Sequence, residues 1–251
     1  MSHEETKQLI GKAALVTGGS RGIGEAIVLR LARAGADVAF TYRENEELAV
    51  GVVARVKEAG GRAIALRADA ADAEAVRGAV AAAAAEYGRL DILVNNAGAG
   101  VLAPIADLAL ADVDRVLAVN IRAPFLAVQA ALAHLREGGR IITVGSCMAE
   151  RVAFPGATLY ATSKTALTGL TKSLARELGP AGITANLVHP GPIDTDMNPA
   201  DGPAADAQAS LTALGRFGTA GEVAETVAYL AGPAGAYVTG ASIAVDGGFA
   251  A

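Results

Sequence analysis

Tyr160 and Lys164 are the two side chains whose types and spacing most directly indicate chemistry. They stand four residues apart in the run Tyr-Ala-Thr-Ser-Lys, so a helix would place both on one face, one turn apart. A free tyrosine has a pKa of about 10, and a nearby ammonium favours the phenolate form. We therefore expect Tyr160 to act as a general acid/base near neutral pH and Lys164 to lower its pKa.

A tyrosine and a lysine at this spacing also occur by chance on helix surfaces, so their partners decide the interpretation. Ser146 closes an apolar run, 140–145, at the carboxyl end of a predicted strand, where α/β enzymes place groups that contact ligands. Cys147 follows it with no histidine beside it in the sequence, so we expect a small buried hydrophobic residue rather than a nucleophile. The histidines His3, His134 and His189 are too few and too scattered to predict a metal site.

A glycine-rich segment directly follows the first apolar run and reads Thr-Gly-Gly-Ser-Arg-Gly-Ile-Gly over residues 17–24. Gly18 permits a tight turn, Gly22 lets the backbone approach a pyrophosphate, and Gly24 lets the next helix pack on the strand. The amino end of that helix attracts an anion. The segment predicts a dinucleotide site, and the alternative is a glycine-rich turn that binds no ligand.

The end of the second apolar run predicts which dinucleotide is preferred. An NAD enzyme usually carries an acid there for the ribose 2′-hydroxyl, whereas this chain has Phe-Thr-Tyr-Arg at 40–43. Arg43 and Arg21 can pair with a 2′-phosphate as planar donors. We expect NADP(H) to be preferred over NAD(H). In the alternative interpretation both arginines are ordinary solvated side chains, with Glu44 partly satisfying Arg43.

These residues need a scaffold, and the chain supplies apolar runs that alternate with helix-like segments. The alternation, with runs apolar on both faces, predicts an α/β fold with a doubly wound, seven-stranded parallel sheet flanked by helices. No linker or repeat divides the chain, so we expect one domain over 1–251, with 1–10 flexible and 190–217 a substrate loop or lid. The predicted strands are 13–17, 37–42, 63–68, 90–95, 140–146, 183–189 and 242–245, and the predicted helices include 24–34, 46–59, 73–87 and 108–135.

The composition excludes several other classes of protein. Hydrophobic residues make up 52% of the 251 residues and charged residues 19%, which is typical of a globular protein. The net charge of −5 gives no attraction to nucleic acid, and we expect no nucleic-acid partner. No run of eighteen apolar residues and no leader-like N-terminus predicts membrane insertion, so we expect a cytoplasmic protein. A single cysteine allows no intrachain disulfide.

The order of these motifs resembles the short-chain dehydrogenase/reductase family, and the resemblance covers roughly residues 10 to 250. The glycine spacing is one wider than in the general dinucleotide fingerprint, as in that family. The family's Asn-Asn-Ala-Gly motif matches residues 95–98, its Pro-Gly motif matches 190–191, and the tail Val-Asp-Gly-Gly matches 245–248. The resemblance implies a single Rossmann-type domain and hydride transfer with a nicotinamide dinucleotide.

The resemblance also implies roles for single residues. Ser146 would hydrogen-bond the substrate oxygen, and Asn120 would hold a water of the proton relay to Lys164 through its side chain or backbone. The family's serine usually precedes its tyrosine by thirteen residues; here the separation is fourteen, which a loop insertion absorbs. Asp69 would contact adenine, the Ile193 backbone the carboxamide, and Thr195 the cofactor. The expected cofactor residues are Gly18, Ser20, Arg21, Gly22, Ile23, Gly24, Tyr42, Arg43, Asp69, Asn96, Ala97, Gly98, Tyr160, Lys164, Pro190, Gly191, Ile193 and Thr195.

The implied activity is NADPH-dependent reduction of a ketone or aldehyde, or alcohol oxidation in reverse. The 3-oxoacyl carrier-protein reductases are the subgroup that the chain broadly resembles, but their two basic carrier-binding positions hold Glu137 and Ala181 here, with Arg136 adjacent. These positions disfavour a carrier-protein thioester, but the adjacent Arg136 could compensate, so such a thioester is kept as an alternative substrate.

A second alternative is a non-catalytic dinucleotide-fold sensor or binder, since a fold does not fix a function. The segment 190–203 resembles a branch of the family that contains a cyclic-dinucleotide binder. We also expect a homotetramer, because the family generally packs the helix predicted at 159–178 against its mate, and a helix apolar on several faces needs a second buried surface.

Overall fold

The computed structural model describes residues 7–251 and contains a seven-stranded parallel sheet in the order β3-β2-β1-β4-β5-β6-β9. Every neighbouring pair in it is parallel. The order reverses between β1 and β4, which places the switch point of a doubly wound fold there. The predicted fold class is confirmed. The strands are β1 Ala13–Val16, β2 Asp37–Tyr42, β3 Ala63–Arg67, β4 Ile92–Asn95, β5 Arg140–Val144, β6 Thr184–Pro190 and β9 Ser242–Val245.

Helices cover both faces of the sheet because the inner strands are apolar on both sides. The residues of β1, β4, β5 and β6 are all buried. One core cluster joins the sheet to α1, α2 and α8, and the other joins it to α3, α5 and the end of α6. The helices are α1 Gly22–Arg33, α2 Glu46–Glu58, α3 Ala73–Tyr87, α4 Leu110–Leu117, α5 Ala123–Ala131, α6 Thr158–Leu178, α7 Ala205–Ser210 and α8 Ala220–Ala231.

The single helix predicted over 108–135 is wrong in detail, because this segment consists of three pieces. A turn of π-helix, Ala118–Arg122, separates α4 from α5. Pro124 has no backbone N–H and cannot donate to the carbonyl of Asn120, four residues earlier, as a regular helix requires. A π turn inside a helix often marks a functional position. Hydrophobic periodicity does not report such a local change in hydrogen bonding.

The segment 190–217 is more structured than a loop. Its residues Ile193–Asp194 form β7, which pairs in parallel with β8, Gly218–Thr219, and α7 follows β7 along the chain. The sequence did not indicate this small sheet because a two-residue strand is too short to show a hydrophobic period. The segment is therefore tied to the start of α8, whose amino end is closed by a capping box between Thr219 and Glu222.

Of the segment 1–10, which is expected to be flexible, residues 1–6 lie outside the described residues. In the described part, the Leu9 side chain is buried in the core, and its backbone N–H donates to the Ala34 carbonyl at 2.8 Å. Among the helices of residues 7–251, none has both the length and the apolar character needed to cross a bilayer. Over the same residues, no cluster of three histidine, cysteine or acidic side chains is arranged to hold a metal ion.

Candidate active site

Tyr160 and Lys164 both lie in the first two turns of α6, at the carboxyl end of the sheet. The Lys164 side chain is buried, and its ammonium donates to the Val144 carbonyl at the end of β5, at 3.1 Å. Its Nζ atom is 5.8 Å from the centre of the Tyr160 ring. The i, i+4 spacing therefore places the two groups on one face, as predicted.

The expected tuning of Tyr160 by Lys164 stays a prediction, and burial is the largest influence on the pKa of Tyr160 in this arrangement. Burial raises the pKa of Tyr160 above its ordinary value, and a hydrogen bond with Ser146 offsets this only in part. Burial also lowers the pKa of Lys164 to about 8. The Lys164 ammonium donates to the Val144 carbonyl, and among residues 7–251 it has no hydrogen bond to the phenol oxygen. Tyr160 is accordingly a protonated phenol at neutral pH.

Ser146 lies just beyond β5, where its hydroxyl is close enough to Tyr160 to influence its pKa. Its Oγ atom accepts a hydrogen bond from the Met148 backbone N–H at 3.2 Å and so starts the short 3₁₀ helix Cys147–Ala149. Cys147 is buried, and burial raises the pKa of its thiol to about 11. The thiol is therefore protonated at neutral pH and is not an activated nucleophile.

The side chain of Asn120 is buried and fully hydrogen-bonded. Its Oδ1 atom accepts from the Ala99 backbone N–H, and its Nδ2 atom donates to the Ala99 carbonyl and to the Ser163 hydroxyl, all at 2.8 Å. Ser163 in turn donates to the Tyr160 carbonyl at 2.7 Å. The role of Asn120 in a proton relay stays a prediction, and the side chain already has protein partners at both of its polar atoms. Its backbone carbonyl, opposite Pro124, is the part that stays suited to that role.

The loop after β4 lies directly against these residues. A Cβ atom placed on Gly98 would be 3.4 Å from the Lys164 ammonium and 3.7 Å from the Asn120 Oδ1 atom. One placed on Gly100 would be 3.5 Å from the Tyr160 ring. The predicted Asn-Asn-Ala-Gly motif therefore connects the dinucleotide region to the acid/base residues, and larger side chains at 98 or 100 would encroach on them.

The glycine segment follows β1 and leads into α1. Gly22 has a φ of +55°, which suits a residue without a side chain, and a Cβ atom there would lie 3.3 Å from the Thr195 methyl group. Among residues 7–251, no side chain caps the amino end of α1, so the first-turn N–H groups are available to an anion. An uncapped helix start beside a glycine with positive φ fits the pyrophosphate of a dinucleotide.

Asn96 holds the glycine segment, and its contact with the cofactor stays a prediction. Its amide nitrogen donates to the carbonyls of Thr17 at 3.0 Å and Gly18 at 2.9 Å, and its backbone N–H donates to the Thr17 hydroxyl at 3.0 Å. The Ala97 N–H donates to the same hydroxyl. These bonds connect the ends of β1 and β4 at the switch point of the sheet.

The two arginines that are expected to contact the ribose 2′-phosphate are both exposed, and each is paired with an acidic side chain. Arg21 forms an ion pair with Asp196 at 2.6 Å, and Arg43 pairs with Glu44 at 2.9 Å. The alternative in which Glu44 satisfies Arg43 is thus seen in the structure. Exposed pairs of this kind are weak, so either guanidinium can exchange its partner for a phosphate. Tyr42, beside Arg43, is buried in the core.

Asp69 lies beyond β3, at the position where adenine was expected. Both carboxylate oxygens accept from Arg115, at 3.2 and 3.3 Å, and one also accepts from the Ala71 N–H at 2.9 Å. Burial raises the pKa of Asp69, but these hydrogen bonds outweigh it, and the net pKa lies below its ordinary value. Asp69 is ionised at neutral pH, and its geometry is fixed by Arg115.

The predicted contacts after β6 come together at the same edge of the sheet. Gly191 packs so closely on Asp246 that a Cβ atom would lie 2.6 Å from the Asp246 Cα atom. Ile193 is buried in β7, and Thr195 lies beside Gly22 of the glycine segment. The Pro-Gly segment and the phosphate segment are therefore neighbours, although about 170 positions separate them in the sequence.

Besides Arg115, which holds Asp69, further residues that contribute to the site were missed in the sequence. Ser163 links Asn120 to α6, Asp196 pairs with Arg21, and His189 contacts the Ser146 backbone. His189 could have been noticed, because it ends the strand next to that of Ser146 and the carboxyl ends of neighbouring parallel strands meet. Ser163 and Asp196 carry no comparable signal, since serine and aspartate are common on exposed helices and loops.

Comparison with known proteins matches residues 18–250 to the family model described as Enoyl-(Acyl carrier protein) reductase. The "Cyclic-di-GMP-binding biofilm dispersal mediator protein" of Escherichia coli K12 is 47% identical over 96% of this chain and 98% of its own length. A short-chain dehydrogenase from Burkholderia cenocepacia in complex with NADP is 56% identical with a TM-score of 0.96, covering 97% of this chain and 100% of that one. A blue fluorescent protein from a metagenomic library, in complex with NADPH, is 54% identical with a TM-score of 0.95 and the same coverage.

Proposed function

The chain belongs to the short-chain dehydrogenase/reductase family of oxidoreductases, and we propose that it reduces a ketone or aldehyde carbonyl with NADPH, and oxidises the alcohol in reverse. The observation that carries this proposal is the meeting of Ser146, Tyr160 and Lys164 at the carboxyl end of the sheet. The hydroxyl groups of Ser146 and Tyr160, beside the buried Lys164, are suited to holding and protonating a carbonyl oxygen.

The acid/base step follows from the protonation states. The pKa of Tyr160 is raised, so the phenol retains its proton at neutral pH and can donate it to the oxygen of a reduced carbonyl. Ser146 holds that oxygen by a hydrogen bond from its hydroxyl. Lys164 has a pKa of about 8, so it is mainly an ammonium at pH 7 and stabilises the phenolate that remains after proton transfer. Bound NADPH supplies the hydride.

NADP(H) is the proposed cofactor. Similar structures carry NADP or NADPH, and this chain lacks an acid at the end of β2 that would repel a 2′-phosphate. Arg21 and Arg43 would hold that phosphate, the uncapped start of α1 would hold the pyrophosphate, and Thr195 with the Ile193 backbone would hold the carboxamide end. Tyr160 and Lys164 would contact the nicotinamide ribose side of the site.

The test is NADPH oxidation by the purified protein with a panel of small ketones and aldehydes. Consumption of NADPH that depends on one of these carbonyl compounds supports the proposal. Tight NADPH binding without turnover of any of them contradicts it. NADPH fluorescence reports binding, and the chain contains no tryptophan whose emission could overlap with it.

Cyclic di-GMP binding is the second candidate, because the Escherichia coli relative named for it is 47% identical over nearly the whole chain. The segment 190–203, which the sequence also related to such a binder, lies beside the glycine segment. Equilibrium dialysis with cyclic di-GMP, in the presence and absence of NADPH, tests this function. Binding that NADPH abolishes would place cyclic di-GMP in the dinucleotide site, and no binding would remove this candidate.

A carrier-protein thioester is an alternative substrate for the same chemistry. The basic contact that it would need is reduced to Arg136, whose guanidinium donates to the carbonyls of Ala133 at 3.2 Å and Leu135 at 3.0 Å. Glu137 next to it is exposed and acidic, which disfavours an acidic carrier. Comparing a 3-oxoacyl carrier-protein thioester with the same acyl group on a small thiol tests whether the carrier is recognised.

A further inference from the structure

The backbone of Ser146 is held by a side chain rather than by the sheet. The Gly145 N–H still donates to the Val188 carbonyl of β6, at 2.7 Å. The next N–H, that of Ser146, donates to the Nδ1 atom of His189 at 3.1 Å, and both residues are buried. The imidazole of His189 therefore accepts the hydrogen bond that a backbone carbonyl of β6 would accept if the sheet continued to Ser146, the residue whose hydroxyl is close to Tyr160.

This contact fixes the protonation state of His189. An Nδ1 atom that accepts a hydrogen bond carries no proton, so the neutral ring holds its proton on Nε2. That Nε2 atom is buried and has no hydrogen-bond partner among residues 7–251, and the nearest carboxylate oxygen, of Glu150, is 3.7 Å away. Burial lowers the pKa of His189, which agrees with a neutral ring.

Gly145 provides the space that the ring occupies. A Cβ atom at position 145 would lie 2.5 Å from Nδ1 and 2.8 Å from Cε1 of His189. Any side chain there would push the ring away from the Ser146 N–H. The glycine before Ser146 and the histidine before the Pro-Gly segment therefore fit together as one unit.

We propose that His189 is a positioning residue for Ser146, which fixes the backbone that presents the serine hydroxyl to the carbonyl oxygen; its role in turnover rests on the proposed function. Without an acceptor at this place, the buried Ser146 N–H would be unpaired, and the segment 145–147 would move to find another partner. A displacement of about 1 Å at a catalytic group can lower turnover by about a hundredfold.

The proposal implies a pH dependence. Protonation of Nδ1 replaces the acceptor by a donor, so the Ser146 contact is lost. The charged groups that face the ring are Glu150 after β5, Lys164 on α6 and Asp246 after β9. Burial and Lys164 oppose protonation, whereas the two carboxylates favour it. Because the net pKa is lowered, the contact should be lost only below the ordinary histidine range.

Two substitutions distinguish the loss of the hydrogen-bond acceptor at position 189 from a change in side-chain volume. The Oδ1 atom of asparagine can occupy nearly the place of Nδ1, so His189→Asn keeps an acceptor that does not titrate. His189→Leu keeps the volume and removes the acceptor. We expect His189→Leu to lower kcat by about ten- to a hundredfold with the KM for NADPH nearly unchanged, and His189→Asn to restore most of kcat. In the wild-type protein kcat should fall at the acidic pH where His189 is protonated, and this acid limb of the pH profile of kcat should disappear in His189→Asn. His134→Asn is the matched control.

Amide exchange of the segment 145–147 provides a readout that does not depend on turnover. Faster exchange of this segment in His189→Leu, but not in His189→Asn, supports the positioning role whether or not a carbonyl compound is reduced. Failure of the protein to reduce any carbonyl compound would count against the proposed function alone. Unchanged exchange in His189→Leu would overturn the inference, as would full kcat in that variant. If His189→Leu does not fold, retention of the wild-type acid limb in His189→Asn would overturn it.

Discussion

Asp196 and Arg21 form an ion pair of 2.6 Å that joins the segment after β7 to the glycine segment before α1. Both side chains are about half exposed, so the pair contributes little to stability, on the order of 0–1 kcal/mol. Its importance is positional. The guanidinium that we expect to contact the 2′-phosphate is already held by a carboxylate that would compete with that phosphate.

Replacing Asp196 with asparagine is therefore expected to strengthen NADPH binding. The substitution removes the competing partner of Arg21 and a negative charge close to the phosphates, and a two- to fivefold lower Kd is expected from an exposed pair of about 0.5–1 kcal/mol. NADPH fluorescence titration measures the effect, which should shrink as salt is raised. Asp201→Asn is the control, since Asp201 lies on the same segment and forms no ion pair within residues 7–251. Equal gains in both variants would indicate only a general charge effect.

Arg43 is expected to contribute to cofactor preference. Replacing it with aspartate introduces the acid that the end of β2 lacks, so the kcat/KM ratio of NADPH to NADH should fall by about tenfold or more, as expected for one lost charge-assisted pair plus repulsion. Glu44→Gln removes the present partner of Arg43 and should move the ratio slightly the other way. Steady-state kinetics with both dinucleotides measures the ratio. A ratio unchanged by Arg43→Asp would exclude this residue from ribose recognition.

Tyr160→Phe is expected to remove most turnover while leaving the protein folded. The substitution deletes only the hydroxyl that donates the proton, and general acid catalysis typically contributes about 10²–10⁴-fold. The Kd for NADPH should change little, because the ring is retained. Tyr229→Phe on the half-exposed face of α8 is the matched control. Retention of more than about a tenth of the wild-type kcat in Tyr160→Phe would refute the acid role.

Carbonyl reduction should decline in alkaline solution because of Lys164. Its pKa is lowered to about 8, so the ammonium is present below that pH and is lost as the pH rises through it. The pKa of Tyr160 is raised, so the phenol stays protonated over the same range. We expect kcat/KM to fall by about tenfold per unit above pH 8. Lys164→Arg, with a guanidinium that stays charged, should move the decline upward if the variant is active. An activity that rises between pH 8 and 10 would contradict this assignment.

A homotetramer is expected, but the exposed surface indicates a different basis from the one inferred for α6. Leu159, Leu167 and Leu178 of that helix are buried within the subunit, and its exposed positions carry small or charged residues, among them Ala166, Gly169, Lys172 and Arg176. Exposed apolar side chains lie instead on neighbouring elements, including Phe125 on α5, which is 56% exposed. Packing these against a second copy would bury them.

Light scattering measures the mass of the assembly. We expect four times the chain mass for the wild-type protein and a smaller mass for Phe125→Glu, because a buried carboxylate in an interface is unfavourable. Leu48→Glu on α2 is the control, since it adds the same charge at another exposed apolar position. A monomeric wild-type protein would refute the prediction, and an unchanged mass in Phe125→Glu would exclude this surface.

The sequence alone predicted the seven strands of the main sheet with helices between them, the glycine segment, and the shared face of Tyr160 and Lys164. These features depend on local causes: hydrophobic runs, glycine conformations and the pitch of a helix act within a few residues. The positions of Ser146 and the Pro-Gly segment also followed, because a doubly wound sheet brings the carboxyl ends of its strands together. The seven strands of the main sheet were predicted to within two residues at each end.

The partner of each polar group, in contrast, depends on how the elements pack in three dimensions. Asn120 bonds to the Ala99 backbone, Asp196 to Arg21, and the Ser146 N–H to His189. The ammonium of Lys164 donates to the Val144 carbonyl, and burial is the largest influence on the pKa of Tyr160. Such contacts join residues far apart in the chain and depend on sub-ångström packing. Local periodicity contains no information at that scale, because a buried polar group takes whichever partner the packed elements place within hydrogen-bonding distance.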